Sequence, residues 1–256
     1  MNKSLLDSIS KVKEEKNVEE IYLFGSVARG DEDEYSDIDI LIVIDDCTED
    51  EYIDWKNIFS NYLDIPVSWI SLYRHSKILR MYESGSYFLW HIKKEGKIIY
   101  SRSNEMPSLL LTLPRYNNTE NDLEEYSEIL SDIKCELNDE YICVEYELAV
   151  LASLVRNTCI AISYLDERLD FGRNSAVMYC FSKYKINISL KEYKELYQYR
   201  LYRTNKIECV PKGKVEQLKK WIEIENDLLK IAKGRCENYD LSLIHISEPT
   251  RHAQIS

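Results

Sequence analysis

Residues 25–30 read Gly-Ser-Val-Ala-Arg-Gly, and residues 36–41 read Ser-Asp-Ile-Asp-Ile-Leu. The first segment directly follows residues 21–24, a short apolar run with the composition of a buried strand. The second alternates acidic and apolar residues and then stays apolar to residue 44, as a largely buried strand does. The pattern predicts two strands, with a glycine–serine turn after the first of them and a short helix from residue 27 to about residue 32.

Two carboxylates stand one residue apart at the start of the second strand. Side chains alternate along a strand, so Asp37 and Asp39 are predicted on one face, with Ile38 and Ile40 on the other. Two carboxylates that converge on one place repel each other unless a cation lies between them. Oxygen ligands of this kind suit Mg²⁺, which commonly also takes phosphate oxygens. The sequence therefore predicts a magnesium site at Asp37 and Asp39.

Gly25 and Ser26 lie where a strand ends and a helix is predicted to begin. Free backbone N–H groups and the helix dipole at such a point favour a phosphate group. Glycine lets the backbone come close to that phosphate, and the Ser26 hydroxyl can add a hydrogen bond. A phosphate cradle beside two metal-binding carboxylates predicts a nucleoside-triphosphate site, whose matching reaction is in-line attack on phosphorus.

The motif of Gly-Ser, ten residues and Asp-x-Asp resembles the nucleotidyltransferase superfamily named for DNA polymerase β. The resemblance is to its small prokaryotic branch, which includes aminoglycoside nucleotidyltransferases and the minimal nucleotidyltransferases of toxin–antitoxin pairs. It covers residues 20–72 well and residues 73–100 more loosely. It implies that Gly25 and Ser26 hold the triphosphate of ATP or another nucleotide, while Asp37 and Asp39 hold Mg²⁺. Arg29 is placed where it approaches phosphate, and a surface salt bridge is the alternative for it.

One position departs from the family pattern. The superfamily usually adds a third carboxylate on a neighbouring strand, and that position falls at or near Ser68, within the strand predicted at 67–72. Serine cannot act as an anionic metal ligand or as an ordinary base. Glu145 or Glu147 from the helical region is a substitute base by resemblance to the aminoglycoside-modifying relatives, and solvated helix carboxylates are the alternative reading.

The predicted fold class is α+β. Residues 1–104 are predicted as a nucleotidyltransferase domain with a small mixed sheet, and the polar stretch 101–107 marks the boundary. Residues 105–240 are predicted as a C-terminal α-helical bundle, which resembles the helical domains attached to these nucleotidyltransferases. A helix is predicted over residues 49–63 in the first domain, and helices are predicted near 120–138, 140–166, 174–184, 189–203 and 212–233 in the second. The helix 140–166 has apolar residues at helical spacing: Leu148, Leu151, Ala152, Val155, Cys159 and Ile162.

Basic side chains of the helical region offer a second place for phosphates. Arg200 and Arg203 are three residues apart and share a predicted helix face, and Arg156 or Lys206 can join them. They are candidates for contact with the triphosphate or the leaving pyrophosphate. Ion pairing with nearby acids is the alternative. The Arg-x4–6-His motif of the related helical ribonuclease toxins is not found after Arg156, so a ribonuclease role is not expected.

Residues 31–54 contain twelve carboxylates and no Lys or Arg, whereas the rest of the 256-residue chain is electrically balanced and the total is −12. Such a run is typical of a solvated loop, and a cation site is the alternative. Overall acidity argues against general nucleic-acid binding, which requires a basic face. The seven cysteines form no Cys-x-x-Cys pair and are odd in number, which argues against disulfides and zinc.

No membrane span or signal peptide is expected, so a cytoplasmic location is predicted. The tail, residues 241–256, resembles a translated sequencing adapter and is interpreted as non-native, with a genuine short strand as the alternative. Native genomic reads that encode these residues would refute the adapter interpretation.

The sequence as a whole predicts a Mg²⁺-dependent nucleotidyltransferase of the EC 2.7.7 type. It would transfer a nucleoside monophosphate, AMP from ATP in the first instance, to a hydroxyl and release pyrophosphate. The expected partners are a nucleoside triphosphate and either a small-molecule acceptor or a partner protein, and a homodimer is compatible with the sequence. The alternative is a catalytically weak nucleotide-binding or antitoxin-like module that lacks the third carboxylate.

Overall fold

The computed structural model describes the backbone of residues 3–137 and 139–247 and the side chains of residues 7–137 and 139–237. Within these residues it contains eleven α-helices and one four-stranded sheet. The chain divides into two compact units after Asn117. The first unit holds the whole sheet and the second is helical, which confirms the predicted α+β class.

The N-terminal unit is built around a mixed sheet with the strand order β3-β2-β1-β4. Strand β1 pairs antiparallel with β2 and β4, whereas β2 and β3 are parallel. Its elements in chain order are α1 Lys3–Val12, β1 Val18–Phe24, α2 Gly25–Arg29, β2 Asp39–Ile44, α3 Glu49–Leu63, a 3₁₀ turn Val67–Trp69, β3 Ile70–Arg74, α4 His75–Glu83, α5 Tyr87–Glu95, β4 Lys97–Ser101 and α6 Glu105–Leu111.

Both faces of this sheet are covered, which explains why its central strands are apolar on both sides. On one face, Ile21, Ile40 and Ile42 pack with Phe59 of α3. Side chains of α1 belong to the same cluster. On the other face, the alternate strand residues pack with side chains of α4, α5 and α6. These two layers fix the ends of β1 and β2, where the predicted motif lies.

The boundary between the two units lies after Asn117, whereas the sequence places it at residue 104. The polar stretch 101–107 is not a linker, because it contains the end of β4 and the start of α6. Met106 and Leu110 are buried in the core of the N-terminal unit. Pro107 is compatible with α6 because a proline in the first helical turn removes an N–H that has no partner within the helix.

The C-terminal unit is a bundle around one buried helix. Helix α8 spans Val144–Leu165 and contacts four further helices: α7 Thr119–Glu136, α9 Ser175–Lys183, α10 Leu190–Arg203 and α11 Val215–Ser247. Of the helices described, only α8 is long and apolar enough to cross a membrane, and most of its apolar window is buried inside the protein. This burial is typical of a core helix.

Helix α11 is longer than predicted. The sequence indicates an end near residue 233, but the helix passes through Gly234 and continues to Ser247. The structure therefore gives helix, not strand, for residues 241–247 of the predicted non-native tail. Residues 248–256 lie outside the described residues. The adapter interpretation of the tail stays a prediction, because backbone conformation does not reveal where a sequence originated.

One carboxyl group is enclosed in the helical core. Glu225 of α11 is fully buried, and its Oε1 accepts a hydrogen bond of 2.6 Å from the Thr158 hydroxyl of α8. Its Oε2 has no hydrogen-bond partner among the described residues. Burial raises the pKa of the Glu225 carboxyl to about 8, although the bond from Thr158 lowers it.

This burial predicts an unusual pH dependence of stability. Between pH 4.5 and about 8, the unfolded chain has released the proton that folded Glu225 still holds, so the free energy of unfolding falls as pH rises. We expect Glu225→Gln to remove this fall. The gain over wild type should grow across that range to a few kcal/mol and then level off, as measured by urea unfolding at a series of pH values.

The control is Glu223→Gln, which changes an exposed glutamate on the same helix. Its free energy of unfolding should follow the wild-type pH curve. A difference between Glu225→Gln and wild type that stays constant from pH 4.5 to pH 9 would contradict the buried-proton explanation.

Candidate functional site

The structure brings the two halves of the motif into direct contact. Phe24, the last residue of β1, pairs across the strands with Asp39, the first residue of β2. Gly25 therefore begins α2 immediately beside Asp39. A Cβ atom placed on Gly25 would collide with Oδ2 of Asp39 and lie 3.1 Å from its Cγ. Gly25 also has φ of +70°, so glycine is required both by conformation and by the approach of the carboxylate.

Asp37 lies just outside the strand. Strand β2 begins at Asp39, whereas the sequence predicts Asp37 within it. Ile38 and Ile40 nevertheless both pack in the same apolar cluster of the sheet. In a strand the residue between two such positions faces the opposite way, so Asp39 alternates away from that cluster, and Asp37 lies two residues before it in the chain. Asp37 and Asp39 are each half-buried.

The turn that leads into Asp37 is ordered by its own side chains. The Asp33 carboxylate accepts hydrogen bonds from the Tyr35 amide at 3.1 Å and the Ser36 hydroxyl at 2.8 Å. The Asp33 amide donates in return to the Ser36 hydroxyl oxygen at 3.0 Å. This arrangement gives the acidic stretch a defined path between α2 and Asp37.

Much of the remaining acidic stretch has local structural roles. Asp45 pairs with Arg102 at 2.6 Å, and the hydrogen bond from Arg102 lowers the pKa of the Asp45 carboxyl. Glu49 and Glu51 occupy the first turn of α3, where negative charge is favourable. Glu51 also completes a capping box with Thr48. These carboxylates form helix caps and ion pairs and do not converge on one cation.

Helix α2 is a single compact turn. It begins at Gly25, and its end is fixed by Gly30, which has φ of +82° and donates its N–H to the Ser26 carbonyl at 2.8 Å. The sequence places this helix at residues 27–32, but the left-handed glycine ends it at Arg29. Ser26 is half-buried in the first turn of the helix. The geometry thus places the start of α2, at Gly25, beside the Asp39 carboxylate, with Ser26 as the next residue of the same turn.

Arg29 takes part in ion pairs. Its Nε lies 3.1 Å from Asp31, and its Nη1 donates to Oε2 of Glu95, near the end of α5. Glu95 also forms a 2.8 Å hydrogen bond with Nε2 of His91. The salt-bridge alternative raised by the sequence is therefore present. Glu95 and His91 had no signal in the sequence, because only the fold brings α5 against α2.

The position expected for a third carboxylate contains no acid in the structure. Ser68 lies in the 3₁₀ turn before β3, not in the strand as predicted, because the amide of Trp69 bonds to the carbonyl of Pro66 at 2.9 Å. Strand β3 starts at Ile70 and reads Ile-Ser-Leu-Tyr-Arg. Ser71 pairs with Leu41 and shares its sheet face, which is also the face of Asp39. Whether the expected position is taken as Ser68 or as Ser71, neither β3 nor the turn before it supplies a carboxylate.

Glu145 and Glu147 have different surroundings on α8. Glu145 accepts a 2.7 Å hydrogen bond from the backbone amide of Gly213, a contact that ties the chain before α11 to α8. Glu147 is half-buried. Burial raises the pKa of its carboxyl, with a further rise from Glu136 and an opposing effect from Arg203. A base role for either residue stays a prediction.

Three arginines of the helical unit gather around Tyr197. The guanidinium carbons of Arg173 and Arg200 lie 5.3 Å and 6.0 Å from the centre of its ring. Arg156 donates to the carbonyl of Phe171 at 2.7 Å. Burial lowers the pKa of Arg156, and the charges of Arg200 and Arg173 lower it further.

The charges of Arg156 and Arg200 are not balanced by an ion pair within the described residues. Arg200 donates a hydrogen bond to the Ser153 hydroxyl, and the buried Tyr193 hydroxyl has no hydrogen-bond partner among the described residues. Arg203, grouped with Arg200 by the sequence, instead stacks over Tyr146 at 3.9 Å. The cluster of Arg156, Arg173 and Arg200 therefore has the charge and the donors to accept an anion.

The donor set at the motif fits one kind of metal site. Among the described residues, no three His, Cys, Asp or Glu side chains are placed to hold a metal ion by themselves. Asp37 and Asp39 supply carboxylate oxygens, and Mg²⁺ is commonly held by one or two carboxylates together with substrate phosphates. The residues present therefore fit Mg²⁺ shared with a nucleotide and do not fit a metal held by protein alone.

Residues 7–105 match the protein family described as "Polymerase beta, Nucleotidyltransferase". The match includes the whole sheet, the α2 turn and both motif aspartates. This part of the chain belongs to the polymerase β-like nucleotidyltransferase superfamily, which confirms the resemblance inferred from the motif.

Several solved structures are similar to this chain at low identity. Spectinomycin adenyltransferase AAD(9) from Enterococcus faecialis, with ATP and spectinomycin, is 17% identical, covers 88% of this chain and 98% of its own, and has a TM-score of 0.46. A toxin–antitoxin structure with AMP-PNP is 19% identical, covers 50% of this chain and 98% of its own, and has a TM-score of 0.33. No curated protein matches significantly. At these identities and TM-scores, such likenesses do not define an activity for this chain.

Proposed function

We propose that the protein is a Mg²⁺-dependent nucleotidyltransferase that transfers AMP from ATP to a hydroxyl group and releases pyrophosphate. The observation that carries the proposal is the contact between Gly25, in the proposed phosphate-binding turn, and the carboxylate of Asp39, the proposed metal ligand. The superfamily of residues 7–105 supports the reaction type. The acceptor is a small molecule or a partner protein, and a cytoplasmic location fits both.

In this proposal each motif residue has a defined task. The amides of the α2 turn and the Ser26 hydroxyl bind triphosphate oxygens. Asp37 and Asp39 hold Mg²⁺, which when bound neutralises phosphate charge and orients the phosphates. In the reaction, the acceptor oxygen bonds to the α-phosphorus and gives up its proton. The bond from that phosphorus to the oxygen bridging to the β-phosphate breaks, and pyrophosphate leaves with the electron pair.

The arginine cluster of the helical unit is proposed to bind phosphate groups. Arg200→Met removes one of its three charges and should weaken binding of Mg²⁺–ATP about tenfold, the scale of one charge-assisted hydrogen bond. Isothermal calorimetry measures the change. Arg203→Met is the matched control, because Arg203 lies on the same helix but stacks on Tyr146. Equal effects of both variants would contradict a specific role of the cluster.

The direct test is incubation with Mg²⁺ and ATP in the presence of candidate acceptors. Pyrophosphate release is followed, and acceptors are examined by mass spectrometry for the added mass of AMP. Parallel reactions with GTP, CTP and UTP identify the nucleotide base. Release that requires an acceptor, together with the AMP mass on that acceptor, supports the proposal. No release with any nucleotide and acceptor, despite nucleotide binding, favours the second candidate below.

The second candidate is a nucleotide-binding or antitoxin-like module with weak catalysis. It is favoured by one observation, the lack of a carboxylate in β3 and in the turn before it. Calorimetry with ATP and Mg²⁺ measures binding, and a pyrophosphate assay on the same preparation measures turnover. Binding without turnover supports the module, whereas robust turnover excludes it.

A further inference from the structure

Helix α2 needs support from outside its own sequence. It contains only five residues, and a single helical turn is not stable by itself because its hydrogen bonds do not offset the entropy of ordering it. It must nevertheless keep its first amides in a fixed place beside Asp39 if it is to hold phosphates. The residues that anchor its two ends are therefore part of the binding geometry.

The end of α2 is anchored by an ion pair. Nη1 of Arg29 donates to Oε2 of Glu95, and the Arg29 side chain is 24% exposed while that of Glu95 is only 5% exposed. Helices α2 and α5 are in contact along this pair. Because the Glu95 carboxylate is nearly enclosed, its interaction with Arg29 is less screened by water than a surface ion pair would be.

The beginning of α2 is anchored through a ring contact. His91 bonds to the same Glu95 oxygen, and its ring lies edge-on to Phe24, with 5.3 Å between the ring centres. Phe24 immediately precedes Gly25 and is the cross-strand partner of Asp39. One carboxylate thus links both ends of the α2 turn, through Arg29 at the end and through His91 and Phe24 at the beginning.

The Glu95 carboxyl must be ionised to bind both Arg29 and His91. Burial raises the pKa of the Glu95 carboxyl, but hydrogen bonds and charges from His91 and Arg29 outweigh burial and the pKa is lowered overall. The group therefore stays ionised at neutral pH and keeps both contacts.

We infer that Glu95 is a positioning residue for nucleotide binding, which holds the α2 turn through Arg29 and His91. This inference rests on the proposed function of the motif. It gives Arg29 a role different from the direct phosphate contact predicted by the sequence, because its guanidinium anchors the turn to Glu95. Glu95 itself touches the turn only through these side chains.

The test measures binding of α,β-methylene-ATP with Mg²⁺ by calorimetry in Glu95→Gln, in Arg29→Met and in the double variant. We expect each single variant to weaken binding about tenfold and the double variant to be no worse than either, since both remove the same anchor. A loss in Arg29→Met far larger than in Glu95→Gln would overturn the inference and make Arg29 a direct ligand.

A matched control exists at the opposite end of β1. Glu19 also joins one arginine and one histidine, with Arg102 at 3.0 Å and His75 at 2.6 Å. Glu19→Gln should lower the melting temperature to a similar extent and leave nucleotide binding unchanged. Equal loss of binding in Glu19→Gln and Glu95→Gln would reduce Glu95 to a general structural role and overturn the inference.

A charge swap covers the case in which Glu95→Gln does not fold. Arg29→Glu alone places two carboxylates against each other, and its combination with Glu95→Arg restores an ion pair at the end of α2, so the swap should bind the analogue more tightly than Arg29→Glu alone. A folded swap variant that binds the analogue no better than Arg29→Glu alone would contradict positioning through this pair. Failure of the wild-type protein to bind any nucleotide would instead refute the proposed function, so the two failures are distinguishable.

Discussion

The double variant Asp37→Asn, Asp39→Asn should lose nucleotide transfer by about a thousandfold or more. Asparagine keeps the shape of each side chain but removes the charge, and charge stabilisation by a bound metal is worth several kcal/mol in phosphoryl transfer. Mg²⁺-dependent tightening of nucleotide binding should disappear as well. Turnover is measured as pyrophosphate release, and binding by calorimetry with and without Mg²⁺.

The matched control removes two charges from the same acidic stretch. Glu32 and Glu34 are exposed and directly precede the turn that leads to Asp37. Glu32→Gln, Glu34→Gln should retain transfer within a few-fold, because exposed charges at a distance are screened. Unchanged transfer in the aspartate variant would refute the assignment of the site, and equal losses in both variants would reduce it to an effect of overall charge.

Replacing Gly25 by alanine should have the second-largest effect. The new Cβ would collide with the Asp39 carboxylate, so either the α2 turn or the carboxylate must move. A displacement of this size at a site that positions reacting groups costs on the order of a hundredfold in rate. Alanine at a φ of +70° adds about 1–2 kcal/mol of strain to the folded state. Turnover and thermal unfolding should both be measured.

Gly30→Ala separates strain from collision. Gly30 closes the same turn with a φ of +82°, but a Cβ there meets nothing within 4 Å. This variant should lose a similar amount of stability and keep most of its activity. If Gly25→Ala and Gly30→Ala lose activity equally, backbone strain alone explains the loss and the close approach to Asp39 has no separate role.

Most helices were predicted well because the residues that indicate a helix in the sequence also make the contacts that stabilise it. Helix α3 spans Glu49–Leu63 as predicted, since Thr48 and Glu51 form a capping box at its start. In α8, the predicted apolar positions are completely buried: Leu148, Leu151, Ala152, Val155, Cys159 and Ile162. Periodicity succeeds here because tertiary packing follows the same spacing as the helix.

Elements that depend on tertiary context were harder to predict. Helix α6 was hidden because its first residues are polar and contain Pro107, and only packing of Met106 and Leu110 reveals it. The strand predicted to begin at Val67 starts later, because the chain after Pro66 first closes a 3₁₀ turn. The end of α11 was missed because Gly234 is tolerated inside a long helix.

The candidate site likewise contains residues that the sequence predicts and a residue that only the fold reveals. Gly25 and Asp39 were predicted together because of their residue chemistry and because the motif of Gly-Ser, ten residues and Asp-x-Asp resembles that of the superfamily. Glu95 could not be predicted, since it is distant in sequence from Arg29 and acts through the packing of α5 on α2. No short motif marks such a residue, although its burial at 5% exposure does so in the structure.

The exposed acids that follow Gly30 affect how a nucleotide reaches the proposed site. Residues 31–34 are four consecutive acids that directly follow the α2 turn, the proposed phosphate-binding turn. Their field opposes the diffusional approach of a free triphosphate and opposes the magnesium complex less, because the metal cancels part of the phosphate charge. Added salt screens this repulsion, so the association rate rises with ionic strength, the reverse of ordinary electrostatic steering. If the proposed function holds, the acidic loop is expected to slow the binding of free nucleotides more than that of nucleotides already carrying a metal ion.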